Sequence, residues 1–354
     1  MLDLICGARP NFMKVDPILR ALGEGVRTRL VHTGQHYDHS MSGSFFGQLG
    51  LPEPDLNLEV GSHSVTVQTA RVMERYEQVL DPDSTRAVVV VGDVNSTLAC
   101  ALVAVRYGVP VVHVEAGLRS FDRGMPEEIN RILTDQLADL LLITSAEARD
   151  NLIREGRPED SIVMVGNPMI DTLLRLLPEA EAEGLQPPKE DYGLITLHRP
   201  SNVDSPQRLA AILKALGRIA DHRLLLPAHP RTRKSIERWG LEDQLPSRLE
   251  LCPPMDYLSF LRHQRHASFV ITDSGGIQEE TSVLGVPCVT VRPNTERPVT
   301  VELGTNVLCP DPLNIPDMVS RQLQSVSGPA EIPLWDGSAG ARIAHALQTA
   351  FGSD

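Results

Sequence analysis

Ile271-Thr272-Asp273-Ser274-Gly275-Gly276-Ile277-Gln278-Glu279-Glu280 reads as a strand, a tight turn of small residues and the start of a helix. Phe269 and Val270 extend the strand with apolar β-formers. Such a turn aims bare backbone N–H groups and the positive end of a helix dipole at one spot, which suits a phosphate. Gly275 and Gly276 let an anion approach the backbone without a Cβ in the way. Ser274 supplies a hydroxyl. Glu280 lies about one turn further on, where a carboxylate would repel phosphate but accept from a pair of ribose hydroxyls. The segment therefore suggests a nucleotide, with diphosphate at the turn and ribose at Glu280. An ordinary βα turn, with Ser and Gly present for capping, accounts for the same residues equally well. The flanking sequence has to decide.

The same strand–helix pattern repeats along the chain. In the first half, apolar runs at 2–6, 29–33, 87–92, 109–114, 140–144 and 162–165 alternate with amphipathic stretches such as 95–107 and 128–138. Near-continuous apolar runs fit parallel strands covered on both faces. The run PEAEAEGLQPPKED at 178–191 is charged and broken by prolines and a glycine, and reads as a linker. Strands then restart at 193–197, 223–226, 268–272 and 287–291, and a last amphipathic helix spans about 339–351. The expected fold is α/β, two Rossmann-like domains at 1–177 and 178–338. Ligands in open sheets sit at the carboxyl ends of strands, so the active site is expected in the cleft between the domains.

Composition narrows the function. A chain of 354 residues fits two α/β domains. Hydrophobic content is 42% and no apolar run is long enough to span a bilayer, so no membrane association is expected. A strand follows Met1 at once, which predicts no signal peptide and a cytoplasmic protein. A formal net charge of −13 argues against a nucleic-acid partner, since counterion release needs a basic face. Cys6, Cys100, Cys252, Cys288 and Cys309 are scattered and set in apolar runs, as buried thiols in a reducing compartment would be. No spacing calls for a structural metal.

Polar clusters follow the predicted strands. After the first come Gly7, Arg9 and Lys14, two cations of which Arg9 suits a bidentate phosphate contact. The strand at 87–92 delivers Asp93, which either serves the ligand or caps the helix beginning near Asn95. His113 and Glu115 share a face by alternation, and a carboxylate at an apolar strand mouth needs a task or a partner such as Arg119. Pro126 opens a helix whose Glu127 either complements the dipole or joins Asp93 and Glu115 for acid–base work. In the second half His198 and Arg199 follow a strand, His229 stands between prolines, and Arg297 offers a second cation for a leaving diphosphate.

The sequence resembles the non-hydrolysing UDP-N-acetylglucosamine 2-epimerases. The matching strings are GARP at 7–10 with Lys14, TGQH at 33–36, GDVNST at 92–97, HVEAGLRS at 113–120 and PEEINR at 126–131. GNPMIDT at 166–172, HR at 198–199, DSGGIQEE at 273–280 and TERP at 295–298 continue the series. They occur in the family's order over nearly the whole chain. The resemblance implies a glycosyltransferase-B-like fold, with the C-terminal helix (about 339–354) packing back on the first domain, and a homodimer. It implies an isomerase that interconverts UDP-N-acetylglucosamine and UDP-N-acetylmannosamine for cell-surface polysaccharide precursors. The family's route eliminates UDP across C1–C2 to give 2-acetamidoglucal and adds UDP back, with no cofactor and no metal. Carried over by position, Asp93, Glu115, Glu127 and His198 would be catalytic. Arg9, Lys14, Ser274, Gly275, Gly276, Glu280 and Arg297 would hold the UDP-sugar, and Gln35, His36, Arg199 and His229 would belong to a second, regulatory site.

Three departures stand out. Asn11 and Val299 replace glutamates common in the family, which leaves open a modified substrate such as a UDP-diacetamido sugar acid. Asp38 replaces a glutamine of the regulatory site, which argues against feedback activation. A glycosyltransferase of the same fold and a catalytically silent nucleotide-sugar sensor would share the nucleotide turn.

Overall fold

Runs of Val, Ile and Leu become parallel strands in both halves of the chain. The computed structural model describes residues 1–34, 49–219, 221–326 and 328–352. The chain divides into two units, Met1–Arg175 with Pro333–Asp354, and Leu176–Ile332. The first contains β1 (Leu2–Cys6), β2 (Thr28–His32), β3 (Leu56–Asn57), β4 (Ala87–Val91), β5 (Val111–Val114), β6 (Leu140–Ile143) and β7 (Ile162–Met164). Their order is β3-β2-β1-β4-β5-β6-β7 and every pairing is parallel. The winding reverses between β1 and β4, so their carboxyl ends diverge and leave a crevice there.

All five residues of β4 are buried, as expected of a central strand covered by helices on both faces. Val72 and Tyr76 on the helix Val65–Glu77 pack with Ala99, Cys100 and Val103 on the helix Asn95–Arg106. A charged group also enters this region. Asp3 accepts from Arg29 Nη2 at 2.6 Å and from the Tyr76 hydroxyl at 2.8 Å, so its burial is matched by charge-assisted bonds. All five cysteines are free and buried, in line with their reading as small hydrophobes.

The second unit holds β8 (Tyr192–Thr196), β9 (Arg223–Pro227), β10 (Leu249–Cys252), β11 (Phe269–Thr272), β12 (Cys288–Thr290) and β13 (Asn306–Leu308). Their order is β10-β9-β8-β11-β12-β13, again all parallel, with the reversal between β8 and β11. β3, β10 and β13 are edge strands that the apolar pattern does not mark. They have only two to four residues, too few for a periodicity to show.

The segment 178–191 departs in part from its reading as a linker: 178–183 are helical, and 184–191 lie in neither helix nor strand. The helix Pro168–Glu183 runs through Pro178 to Glu183. Alanine and glutamate are strong helix formers, and one proline removes only one intrahelical hydrogen bond, so the AEAE run stays helical. The helix Ala339–Phe351 packs on the helix Arg9–Leu22. At Gly340 a Cβ would lie 2.5 Å from the Pro17 carbonyl oxygen, so only glycine permits that approach. The Asp171 carboxylate accepts from the N–H groups of Ala339 at 3.1 Å and Gly340 at 2.7 Å, closing the amino end of this helix.

Candidate functional site

At the crevice of the first unit, β1 leads into Gly7 and the helix Arg9–Leu22, while β4 leads into Gly92 and Asp93. Gly92 has φ 68°, a conformation that favours glycine. A Cβ there would come within 3.1 Å of both Glu115 Oε2 and Lys14 Nζ. Those two side chains form a buried ion pair beside the turn. Asp93, about a quarter exposed, pairs with Arg131 and receives the Asn130 amide on its carbonyl at 2.9 Å. Each of the two carboxylates is thus held by a cation from a helix, Asp93 after β4 and Glu115 just after β5.

Several roles expected from the residue pattern change when the contacts are seen. Glu115 lies beyond the last residue of β5 and has φ 72°, so strand alternation does not extend to it. Its described partner is Lys14 rather than Arg119. Arg119 instead bridges Asp135 at 2.7 Å and Glu155 at 2.5 Å. His113 is fully buried, with Nδ1 2.6 Å from Asp135 and Nε2 2.8 Å from the Gly92 carbonyl oxygen, so it braces the turn from behind. Burial alone would raise the Asp135 carboxyl, but His113 and Arg119 outweigh it and hold the group below the ordinary range. Glu127 is exposed in the first turn of its helix. Its neighbour Glu128 is buried and gathers the N–H groups of Ser120 (2.9 Å) and Phe121 (2.8 Å) together with Arg131 (2.7 Å).

Asn11 also has a structural task. Its carbonyl oxygen accepts from Gly7 and Ala8, and its amide donates to the Val91 carbonyl, stapling β1's turn to β4's. Val299 is buried in a short helix. The side chain of Arg9, and Gln35, His36 and Asp38, lie outside the described residues.

In the second unit the crevice lies between the carboxyl ends of β8 and β11. Ser274 precedes the helix Gly275–Leu284 and makes no side-chain cap bond, so its hydroxyl is not spent on the helix. Capping therefore does not account for this serine. Gly275 has a packing reason that the sequence could not reveal: a Cβ would lie 2.5 Å from Arg297 Nη1 and 2.8 Å from Glu296 Oε1. Arg297 is itself buried between Glu296 at 2.6 Å and Glu279 at 2.8 Å. Its positive charge is therefore matched by two carboxylates beside the turn. Glu280 is buried, and its Oε1 receives the Tyr257 hydroxyl at 3.1 Å. Desolvation, reinforced by the Glu279 charge, pushes its carboxyl up to about 7.

His198 and Arg199 follow β8. The His198 side chain is partly exposed, with Nδ1 3.1 Å from Asp273 Oδ1, and its ring centroid is 6.0 Å from that of His229. Arg199 donates from Nε to the Asp273 carbonyl at 2.9 Å. The sequence pattern singles out Arg297, whereas Arg131, Asp273, Tyr257, Glu279 and Glu296 carry no role of their own there. Their places rest partly on contacts between residues distant in the chain, such as Arg131 with Asp93 and Tyr257 with Glu280, which no local pattern marks.

Two doubly wound sheets, with acid–cation pairs at one switch point and a small-residue turn at the other, define a two-Rossmann protein of glycosyltransferase-B-like class. The family model described as UDP-N-acetylglucosamine 2-epimerase matches residues 20–348. The chain is 43% identical over 323 residues to a UDP-N-acetylglucosamine 2-epimerase of Methanocaldococcus jannaschii, covering 88% of each chain. It is also 43% identical over 310 residues to a UDP-2,3-diacetamido-2,3-dideoxy-D-glucuronate 2-epimerase of Pseudomonas aeruginosa, covering 86% of each. A crystal structure of the Methanocaldococcus jannaschii UDP-GlcNAc 2-epimerase with UDP-GlcNAc and UDP superposes with a TM-score of 0.90 at 40% identity, covering 98% of this chain and 99% of that one. The chain belongs to the UDP-N-acetylglucosamine 2-epimerase family.

Proposed function

We propose that this protein epimerises UDP-N-acetylglucosamine at C2, giving UDP-N-acetylmannosamine, by eliminating and re-adding UDP. The observation that carries the reading is the pairing of Asp93 with Arg131 and of Glu115 with Lys14, both pairs beside Gly92 at the first unit's switch point. Inverting C2 by proton transfer requires one group to remove a proton and one to return it on the other face. Two carboxylates with different cation partners are suited to that division of labour. As the C2 proton leaves, the C2–H electron pair forms the C1–C2 double bond, and the C1–O bond breaks with its electrons going to the β-phosphate oxygen. Negative charge then develops on UDP. The second unit offers the groups that match it: the unspent Ser274 hydroxyl, the first N–H groups of the helix Gly275–Leu284, and His198. Glu280 would accept from the ribose hydroxyls.

Incubation with UDP-N-acetylglucosamine in D2O tests this, since deuterium should enter at C2 as the epimer forms without any acceptor present. No exchange and no epimer would exclude the proposal, and free sugar with UDP would indicate hydrolysis. The UDP-diacetamido uronate belongs in the same experiment, because the Pseudomonas aeruginosa relative is as similar as the Methanocaldococcus jannaschii one. Asp93→Asn and Glu115→Gln should each reduce turnover by at least about 100-fold while UDP still binds.

A further inference from the structure

Asp273 gathers an unusual number of donors into one place. It is fully buried at the end of β11, and its carboxylate accepts from the backbone N–H of His198 at 3.1 Å and of Arg199 at 3.0 Å. It also accepts from the Asn202 amide at 3.1 Å. Its Oδ1 lies 3.1 Å from His198 Nδ1. The imidazole of His198 is otherwise partly open to solvent.

We propose that Asp273 is a positioning residue that fixes the proton of His198 on Nδ1 and turns Nε2 toward the departing diphosphate. An ionised carboxylate only accepts, so the hydrogen at Nδ1 must point to it. The other ring nitrogen then carries no proton in the neutral ring. On protonation it becomes a cationic donor, and the buried carboxylate behind Nδ1 stabilises that cation. Burial would raise the Asp273 carboxyl, but His198, with the Arg199 N–H and the Asn202 amide, outweighs it and keeps the group below its ordinary range. Asp273 thus stays an ionised acceptor at neutral pH.

The charge environment of the ring is compact. Arg199 is the next residue and pairs with Glu296 at 3.7 Å, and His229, after β9, stacks obliquely 6.0 Å away. Among these groups Asp273 is the one in contact with the ring nitrogen. The asymmetry gives His198 a role a bare loop histidine would lack. Its Nε2–H can follow the charge that builds on the β-phosphate oxygen as the C1–O bond breaks, without passing its proton on.

This inference rests on reading His198 as a neighbour of the diphosphate, and a double-mutant cycle tests it. UDP affinity and turnover are measured for wild type, Asp273→Asn, His198→Gln and the double variant, across pH 5.5 to 8.5. If Asp273 acts through His198, Asp273→Asn alone should lower turnover on the order of 100-fold and displace the His198-dependent limb of the pH profile to lower pH. In the His198→Gln background the same change should have little further effect. Equal losses in both backgrounds would overturn the proposal and leave Asp273 with a purely structural role. Should Asp273→Asn not fold, nitrogen NMR of the wild-type ring decides: a neutral Nδ1–H tautomer supports the dyad, and an Nε2–H tautomer overturns it. UDP affinity and the tautomer are read without turnover, so a missing epimerase activity would sink the proposed reaction and leave the dyad testable.

Discussion

Glu280 makes an unfavourable contribution to folding, which the ribose contact proposed for it would account for. The side chain is buried, desolvation pushes its carboxyl up to about 7, and the Glu279 charge adds to the effect while Tyr257 opposes it. In the unfolded chain the group ionises near 4.5, so stability is fully present below that pH and falls as pH rises toward 7. Glu280→Gln should therefore stabilise the protein at pH 8 by up to about 3 kcal/mol, with the gain vanishing at pH 4. Urea unfolding at the two pH values measures this, and a gain that is equal at both would refute the assignment. The same substitution should weaken binding of a UDP-sugar, because a carboxylate accepts two ribose hydroxyls better than an amide does. Gly275 is the complementary case at the turn. Gly275→Ala must displace Arg297 Nη1, which a Cβ would approach at 2.5 Å. We expect about tenfold weaker UDP binding, by titration calorimetry, from the shift of that guanidinium and the turn it braces. Unchanged affinity would mean that Arg297 gives way without moving the turn.

The string GNPMIDT at 166–172, which enters the sequence reading only through the family resemblance, serves packing within the fold. Asn167 receives the Met169 N–H at 3.0 Å, Thr172 donates to the Met13 carbonyl at 2.6 Å, and Asp171 closes the helix Ala339–Phe351. Thr172 and Asp171 thus join their helix to two others, while the Asn167 carbonyl oxygen accepts within the first turn of the same helix. Asp171→Ala should cost about 1 to 2 kcal/mol, the usual loss for a helix amino-end acceptor. Amide hydrogen exchange should quicken along 339–351 more than in β4, and a uniform change over the first unit would contradict that placement. The long strands, their order of appearance and the last helix were legible because apolar runs of five residues between amphipathic stretches leave one consistent pattern. Short edge strands such as Asn306–Leu308 carry no pattern, and Pro178 disguised a helix that its alanines and glutamates sustain. At the site, the strand-end residues were visible in the sequence. Their partners were not: Lys14, on the helix after β1, and Glu115, just after β5, stand 101 residues apart, and the parallel winding brings them together.

Among the described residues, each sheet carries an apolar cluster of its own. Val72, Tyr76, Val88 and Val90 belong to the first, and Leu209, Ile212, Phe269 and Ile271 to the second. A core of this kind is the cooperative unit of unfolding, and a chain with two of them need not melt in one step. The turn at Ser274–Gly276, to which the proposed function assigns the diphosphate, lies wholly within the second unit, together with Tyr257, Glu280, His198 and Asp273. UDP bound there would stabilise by mass action, about 2.7 kcal/mol at a concentration 100 times the dissociation constant. Phe269 packs against Gly193, where a Cβ would come within 2.3 Å of its ring, so neighbours fill the space around it closely. Phe269→Ala should remove about 3 to 5 kcal/mol from the second core. In scanning calorimetry this variant should separate a low-temperature transition from the remaining one, and UDP should raise the former. A single transition that shifts as a whole, with equal calorimetric and van't Hoff enthalpies, would show that the two cores unfold as one unit.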